Sequence, residues 1–294
     1  MEPFIHYAPF TGWVYPNETV IEWSVAIVVY PYITGLVAGA FTVSSLYQVF
    51  GFQRLKPVAH LALLTSLCFM FFVPLPLLLQ AQKRAGLLGT FYRALTLGSY
   101  DLSEKALRYD KKWIFWLAIA GIPGAHGLHG YVGFVFGSLK AREWWSSDLM
   151  PAVFLFSAII SGVALLIVLY VVSCLLRRIP IDLGCLKGLA YTVWGFIMVA
   201  LLLEGLEFAN IIYKGREGVE MIVEYVSGPL LIPYFILQFA IGTILPLLLF
   251  SYMIWRGATG KALIVGVTVS ACLVLLSVFM MRWNVVIGGQ EISK

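Results

Sequence analysis

The stretch MPAVFLFSAIISGVALLIVLYVVSCLL, from Met150 to Leu176, decides the fold class of this chain. It carries no charged side chain and is longer than the roughly 20 apolar residues that an α-helix needs to cross a bilayer core. Its apolar residues run continuously instead of alternating, which excludes the strand pattern of a membrane β-barrel. The stretch therefore predicts a membrane-spanning helix.

The rest of the sequence has the same character. Of its 294 residues, 61% are hydrophobic and only 12% are charged, and the mean hydropathy is +0.90, far outside the range of soluble domains. Apolar runs occur at about 22–50, 58–80, 113–137, 150–176, 186–211, 229–255 and 262–281. These seven strong spans predict an all-α transmembrane bundle that forms a single domain over residues 1–294.

The basic residues predict the orientation of the bundle. The net charge of +5 does not indicate nucleic-acid binding, because in a membrane protein Lys and Arg mark the cytoplasmic loops. Three loops are basic, and we expect them on the cytoplasmic side: Arg54 with Lys56, Arg177 and Arg178 with Lys187, and Arg256 with Lys261. The expected location is the inner (cytoplasmic) membrane, with the N-terminal arm, residues 1–20, on the outer side.

Seven spans do not satisfy this charge pattern. Gln80 should lie outside and Lys111 inside, so an additional crossing is needed between them. The best candidate is the stretch 85–102, which has the right length but is weakly apolar and contains Arg93. We therefore expect eight crossings; the alternatives are that 81–112 holds a re-entrant or interfacial helix, or that residues are missing from this part of the sequence.

The sequence does not predict a metal or haem in this chain. The cysteines form no closely spaced pair, and we interpret them as small buried hydrophobic residues. His126 and His129 share one span and cannot ligate opposite faces of one haem, and His60 lies at a different depth. Hydrolase and phosphate-binding motifs are absent from the sequence.

The span 113–137 nevertheless carries unusual residues. His126 shares one helical face with Gly130, Gly133 and Gly137, and a similar stripe of small residues, Gly35, Ala38, Gly39 and Thr42, lies in the first span. Because small residues let helices approach closely, we expect these two helices to pack together. Histidines at membrane depth need a partner or a water-filled cavity.

Three further sets of polar residues stand out: Tyr131, the pair Glu204 and Glu207, and Gln238. The first two each allow two interpretations. Tyr131 belongs to an interfacial aromatic belt or donates a hydrogen bond to a carbonyl in a cavity. Glu204 and Glu207 share one helical face with Asn210 and form a proton path or simply reach interfacial water. Gln238 is expected to form an interhelical hydrogen bond.

Two stretches resemble a known family. The closing RWNVVIGGQ, Arg282 to Gln290, resembles the signature after a late helix in NrfD-like proteins, the membrane subunits of polysulfide reductase and related enzymes. The central YVGFVFGSLKAREWWSSDLMPAVFLFSAIISGVAL, Tyr131 to Leu165, resembles the Tyr-x-Gly and Arg-x-x-Trp element and the helix after it. Between Gln80 and Trp113 the sequence departs from the family's pattern, which has a clear helix there.

The resemblance implies a haem-free helical anchor that binds a quinone of the menaquinone or ubiquinone type. Its implied partners are a four-cluster ferredoxin-like iron–sulfur subunit and a molybdopterin catalytic subunit, so the chain is not expected to catalyse a reaction on its own. Tyr131 matches the family's quinone-binding tyrosine, and Arg142 and Trp145 match the following motif. The family's Asn and His on the first helix correspond to Ile27 and Tyr30, of which only Tyr30 can donate a hydrogen bond.

The full set of expected site residues combines these observations. We expect quinone contacts from Tyr131, His129, His126, Tyr30, Tyr32 and Arg142, a proton path through Glu204 and Glu207, and partner docking at Trp144 and Trp145. The alternative functions are a proton-translocating subunit without quinone turnover and a secondary transporter with helices broken near Pro74–Leu75–Pro76. The terminal substrate is determined by other chains of the complex.

Overall fold

The structure, a computed structural model, describes residues 25–73, 104–138, 144–145, 147–213, 220, 227–228 and 230–291. Throughout these residues the secondary structure is helical, without strands, as the apolar runs predict. The long helices are α1 (Val25–Gln48), α2 (Lys56–Phe72), α3 (Glu104–Gly137), α4 (Met150–Arg177), α5 (Leu183–Tyr213), α6 (Leu231–Trp255) and α7 (Gly260–Gly288).

All of these helices except α3 are long and apolar enough to span a membrane. The expected span 113–137 lies within α3, but that helix starts earlier, at Glu104, and has 34 residues. At about 1.5 Å per residue it is roughly 50 Å long, more than a hydrocarbon core of about 30 Å requires. Residues 85–102 and Pro74–Leu75–Pro76 lie outside the described residues, so the eighth crossing stays a prediction.

The three basic loops lie at one end of the bundle, hereafter the basic end. The chain reverses direction there between α1 and α2, between α4 and α5 and between α6 and α7. Residues at these reversals, including Leu55, Cys174, Cys185 and Leu263, belong to one buried apolar cluster. The end where α3 joins α4 is the opposite end.

Helix α4 occupies the centre of the bundle and packs against α1, α2, α3, α5 and α7. Its crossing with α1 is made at Gly39 and Gly162, whose backbones touch, and a Cβ on Gly39 would lie 2.6 Å from the Ala158 carbonyl oxygen. A glycine pair of this kind allows the helix axes to approach closely.

The prediction that α1 and α3 pack together is confirmed. Of the glycines in the two stripes, Gly35 does lie against α3, at His129, but most of the others do not make that contact. Gly133 and Gly137 approach the start of α4, at Met150 and Ser147, and Gly39 also faces α4. Gly130 has no neighbour within 4 Å of where its Cβ would be. Gly39, Gly133 and Gly137 thus serve contacts with α4 or the residues just before it, because that helix is central and meets both α1 and α3.

Two helices contain wider, π-helical segments, Leu231–Ile244 at the start of α6 and Asn284–Gly288 at the end of α7. In the first segment the Thr243 hydroxyl donates to the carbonyl of Gln238, five residues earlier. Such segments are rare and occur often at functional sites. Here they bring Gln238 and Asn284 together.

Candidate functional site

His129 is fully buried where α3 meets α1 and α4. Its Nε2 lies 3.5 Å from the Thr34 hydroxyl, and a Cβ on Gly35 would lie 3.4 Å from both His129 Nε2 and the Ser161 hydroxyl. The imidazole is also within electrostatic range of the Arg282 guanidinium on α7. The imidazole is thus packed against α1 at Gly35 and Thr34, and against α4 at Ser161.

An apolar slot of about 440 Å³ opens beside His129, between α1, α2 and α3. Its lining residues are Thr34, Val37, Ala38, Phe41, Leu63, Ser66, Leu67, Met70, Val73, Gly121, Gly124, Ala125, Leu128 and His129. Ligand pockets of about 300–1,000 Å³ are typically apolar with a few polar groups that fix orientation. In this slot the polar groups are the imidazole of His129 and the hydroxyls of Thr34 and Ser66.

Two tyrosines lie next to this slot, toward the opposite end of the bundle. Tyr30 is one turn from Thr34 on α1, and Tyr131 is about one turn from Leu128 on α3, so each lies above a residue of the slot wall. Their phenol groups are close enough to interact electrostatically. Neither tyrosine is part of the slot wall itself, and Tyr131 is 63% exposed within this chain. The side of the slot next to these two tyrosines is hereafter called the mouth.

The other predicted quinone contacts lie in different surroundings. The Tyr32 hydroxyl donates to the Leu275 carbonyl of α7 at 3.3 Å, and its ring packs edge-on against Phe279. Tyr32 therefore faces α7 and not α3. The Nδ1 of His126, which is half-buried, lies 2.6 Å from the Ile122 carbonyl oxygen of its own helix. Arg142 lies outside the described residues.

A second polar region lies between α5, α6 and α7. Glu204 accepts a hydrogen bond of 2.9 Å from the Gln238 amide, and the Gln238 amide oxygen accepts one of 2.8 Å from Asn284. The expected interhelical bond of Gln238 is thus confirmed. Glu207 accepts a 2.9 Å bond from the Ser147 hydroxyl, just before α4.

These groups adjoin two narrow cavities. A cavity of about 40 Å³ is lined by Glu204, Glu207, Asn210 and Asn284 among others, so the three residues predicted to share a face of α5 do line one space. A second, of about 50 Å³, continues from Glu204 and Gln238 to Ser157 and Ser277. Each can hold at least one water molecule, and both offer the polar partners that buried water requires.

Arg282 is fully buried, although an isolated buried charge is costly. Its Nη2 donates to the Ser157 hydroxyl at 2.7 Å and to the Phe154 carbonyl at 3.2 Å, and its guanidinium lies 3.8 Å from the centre of the Phe154 ring. Nε and Nη1 have no hydrogen-bond partner among the described residues. Arg282 thus contacts Ser157, which lines the second cavity, and lies within electrostatic range of His129.

Arg282 and Asn284 were not assigned to the site from the sequence. Both lie in the closing RWNVVIGGQ motif, which is the signal that pointed to them. In the sequence Arg282 directly follows the apolar run 262–281 and resembles an interfacial anchor, and only its contacts show that it turns into the bundle. Ser147 was missed because an isolated serine in a connection gives no signal.

The tryptophan pair lies at the opposite end of the bundle. Trp145 is fully buried in a cluster with Phe136, Met150 and Phe154, and its indole Nε1 donates to the Val285 carbonyl. Trp144 is half-buried, lines the cavity of Glu204 and Glu207 and packs edge-on against Tyr234. Of the pair, Trp144 has the more accessible surface.

No group of three or more His, Cys, Asp or Glu side chains that could hold a metal ion occurs among the residues described. Cys174 and Cys185 are buried as small apolar side chains, as expected. Cys68 and Cys272 are exposed on the outer surface of this chain, so the expectation of burial is wrong for these two. Both lie on spanning helices, where that surface is expected to face lipid.

The fold and these sites define a polytopic helical membrane protein with an apolar slot and a buried polar network. Comparison with known proteins identifies the family. The sequence model of the family "Polysulphide reductase, NrfD" matches residues 14–103 and 69–293 of this chain. The chain belongs to the NrfD family, as the resemblance implied.

A curated relative is a selenate reductase subunit from Mesobacillus selenatarsenatis, 30% identical over 90% of this chain and 73% of the relative. Family and relative together support a membrane anchor subunit of a reductase complex.

Proposed function

We propose that this chain is the quinone-reactive anchor of a respiratory oxidoreductase and exchanges electrons with an iron–sulfur subunit. The observation that carries the proposal is the apolar slot between α1, α2 and α3, which ends at buried His129 and Thr34. A quinone combines an apolar tail with two carbonyl acceptors, so it requires an apolar slot with a few hydrogen-bond donors.

Four polar groups are available to the quinone head group. The Thr34 hydroxyl already donates within its own helix, to the carbonyls of Tyr30 and Pro31, which leaves the His129 imidazole as the better donor inside the slot. Tyr30 and Tyr131 supply phenol donors at the mouth. We propose that one carbonyl binds at His129 and the other at the tyrosine pair, with His126 and Arg142 shaping the mouth and Tyr32 bracing α1 against α7.

Quinone chemistry also requires protons, two for each two-electron step. We propose that Glu207 and Glu204 form the proton path to the opposite end of the bundle. Glu207 contacts Ser147 near that end, and Glu204 connects through Gln238 to Asn284. Water in the two small cavities would extend the path toward Ser157 and Arg282, which lies within electrostatic range of His129.

The electron partner is proposed to dock at the opposite end, against the surface around Trp144. Trp145 fixes that surface from beneath through its bond to Val285. The partners we propose are a four-cluster ferredoxin-like iron–sulfur subunit and a molybdopterin catalytic subunit. The relative's name, a subunit of selenate reductase, supports a multi-subunit reductase.

The test is purification of the full chain with its partners from native membranes, followed by extraction of bound lipid. We expect quinone to co-purify with an iron–sulfur protein, and Tyr131→Phe to lower quinol-linked turnover at least tenfold, as losing a hydrogen bond of about 1.5 kcal/mol would. Tyr213→Phe is the matched control, because Tyr213 is exposed at the end of α5. A complex without quinone, or equal turnover in both variants, would overturn the proposal.

The buried polar network also favours a second candidate, a subunit that translocates protons without turning over quinone. It predicts that Glu207→Gln abolishes proton movement while the quinone affinity of the complex stays unchanged. If the same variant slows quinol turnover itself, the glutamate serves the quinone reaction and the first proposal stands.

A further inference from the structure

The basic end of the bundle contains a pocket that neither the quinone nor the proton proposal uses. It lies between the start of α2 and the end of α4 and has a volume of about 400 Å³. Its lining residues are Pro57, His60, Leu61, Leu64, Tyr170, Ser173, Cys174, Arg177, Ile179, Pro180 and Asp182. Apolar side chains thus share the wall with the imidazole of His60, the hydroxyls of Tyr170 and Ser173, and the guanidinium of Arg177.

Basic residues outnumber acidic ones around this pocket: Arg177 lines it, and Lys56 and Arg178 directly adjoin its wall in the chain, against the one carboxylate of Asp182. Arg177 and His60 form no ion pair with any residue that the structure describes, and both are exposed to the pocket side of the chain. The acidic member of the wall, Asp182, is already engaged: its carboxylate accepts hydrogen bonds from the amides of Gly184 and Cys185, which start α5. Within the wall itself the charges of Arg177 and Asp182 offset each other, so the net positive charge at this pocket comes from the basic residues that adjoin it.

The polar wall is held in a fixed shape. Helix α4 ends at Arg178, whose φ of 54° and ψ of 36° are left-handed, and the Ile179 amide donates back to the Cys174 carbonyl at 3.0 Å. The Asp182 amide donates to the Tyr170 hydroxyl at 3.0 Å. These bonds close the loop onto α4, so Arg177 projects from a rigid support.

We propose that this pocket binds the phosphate head group of an anionic phospholipid. Arg177, His60 and Ser173 would hold the phosphate oxygens, since guanidinium groups pair with phosphate through short, charge-assisted hydrogen bonds. Leu61 and Leu64 continue along α2 away from the basic end, which gives an acyl chain an apolar surface to follow. Basic pockets between helices on the cytoplasmic side of a membrane are suited to such head groups.

The experiment is native mass spectrometry of the complete complex, released from nanodiscs of phosphatidylglycerol or of phosphatidylcholine. We expect one phosphatidylglycerol to remain bound, and Arg177→Gln to lower its retention about fivefold, the factor that corresponds to about 1 kcal/mol per basic residue near the surface. Arg256→Gln is the matched control, since Arg256 lies at the same end over the Tyr252 and Trp255 rings, outside this pocket.

His60→Gln serves as a second variant and is expected to weaken retention in the same direction. A thermal-shift measurement with inorganic phosphate alone separates the lipid from a free anion: we expect phosphatidylglycerol, and not phosphate, to stabilise the complex. Equal retention of the two lipids, equal loss in the Arg177 and Arg256 variants, or full stabilisation by phosphate would overturn the proposal.

Discussion

The indole Nε1 of Trp145 donates a hydrogen bond to the carbonyl oxygen of Val285, 140 positions further along the chain. The ring lies so close to Gly289 that a Cβ at that position would collide with it. One contact thereby joins the connection before α4 to the π-helical end of α7. These are the two regions that carry the family resemblance, and the structure shows that they bind each other.

Replacing Trp145 should destabilise the opposite end of the bundle. Trp145→Phe removes the donor and leaves the buried Val285 carbonyl without it, a loss of about 1–3 kcal/mol. The measurement is the thermal unfolding of the purified complex in detergent. Trp255→Phe is the control, since Trp255 is exposed at the end of α6; similar midpoints for the two variants would contradict the assigned role.

The crossing of α1 and α4 should not tolerate a methyl group. Gly39→Ala places a Cβ against the backbone of Gly162 and 2.6 Å from the Ala158 carbonyl oxygen, so the helices must separate. We expect a lower unfolding midpoint and weaker packing around His129. Gly130→Ala has open space and should leave the midpoint unchanged or raise it slightly, because alanine favours helix by about 1 kcal/mol. A lower unfolding midpoint for Gly130→Ala than for Gly39→Ala would show that the close approach of α1 and α4 is not required.

Arg282→Lys should be more harmful than its unchanged charge indicates. The guanidinium stacks on Phe154 and binds both Ser157 and the Phe154 carbonyl, a planar arrangement that an ammonium group cannot reproduce. We expect destabilisation of at least about 1–3 kcal/mol from the imperfectly bonded buried charge, measured by thermal unfolding of the complex. Arg256→Lys, at an exposed position, is the comparison, and an equal effect in both would refute a special role for Arg282.

Glu204 and Glu207 are expected to carry protons, and replacing Glu204 with glutamine tests this. Glu204→Gln retains a group that can accept the Gln238 hydrogen bond but cannot release a proton, so the fold should persist while proton uptake slows at least tenfold. Proton uptake during quinone turnover, followed with a pH-sensitive dye in vesicles, is the measurement. Asn210→Asp, on the same face of α5, controls for a general change of charge. Unchanged uptake in Glu204→Gln would remove Glu204 from the path.

The sequence predicted the helical class, because long uncharged apolar runs have no other stable form in lipid. It also predicted the shared face of Glu204, Glu207 and Asn210, which follows from helical periodicity alone. It did not predict that α4 is the central helix: its partners are determined by which small residues meet in space, and a glycine stripe does not identify the helix that it faces.

For the candidate site, the sequence identified several residues but not their surroundings. His129 and Tyr131 were selected from residue type and resemblance, but their different surroundings, one buried and one exposed, depend on how α3 rotates against α1. The direct quinone contact expected of Tyr32 stays an untested prediction, and we propose a bracing role instead because its hydroxyl donates to the Leu275 carbonyl of α7. The π-helical segments that join Gln238 to Asn284 have no recognised sequence signal beyond nearby Pro233 and Pro246.

The most direct test of quinone binding between α1, α2 and α3 is photoaffinity labelling of the complex with an azido-quinone, followed by peptide mapping. We expect labelling of the α1 segment from Tyr30 to Phe41 and the α3 segment from Gly121 to Tyr131, with protection by excess quinone and loss of the label in His129→Ala. Protected labelling confined to α5 and α6, with none on α1 or α3, would contradict this site and place the quinone in the cavity of Glu204 and Glu207.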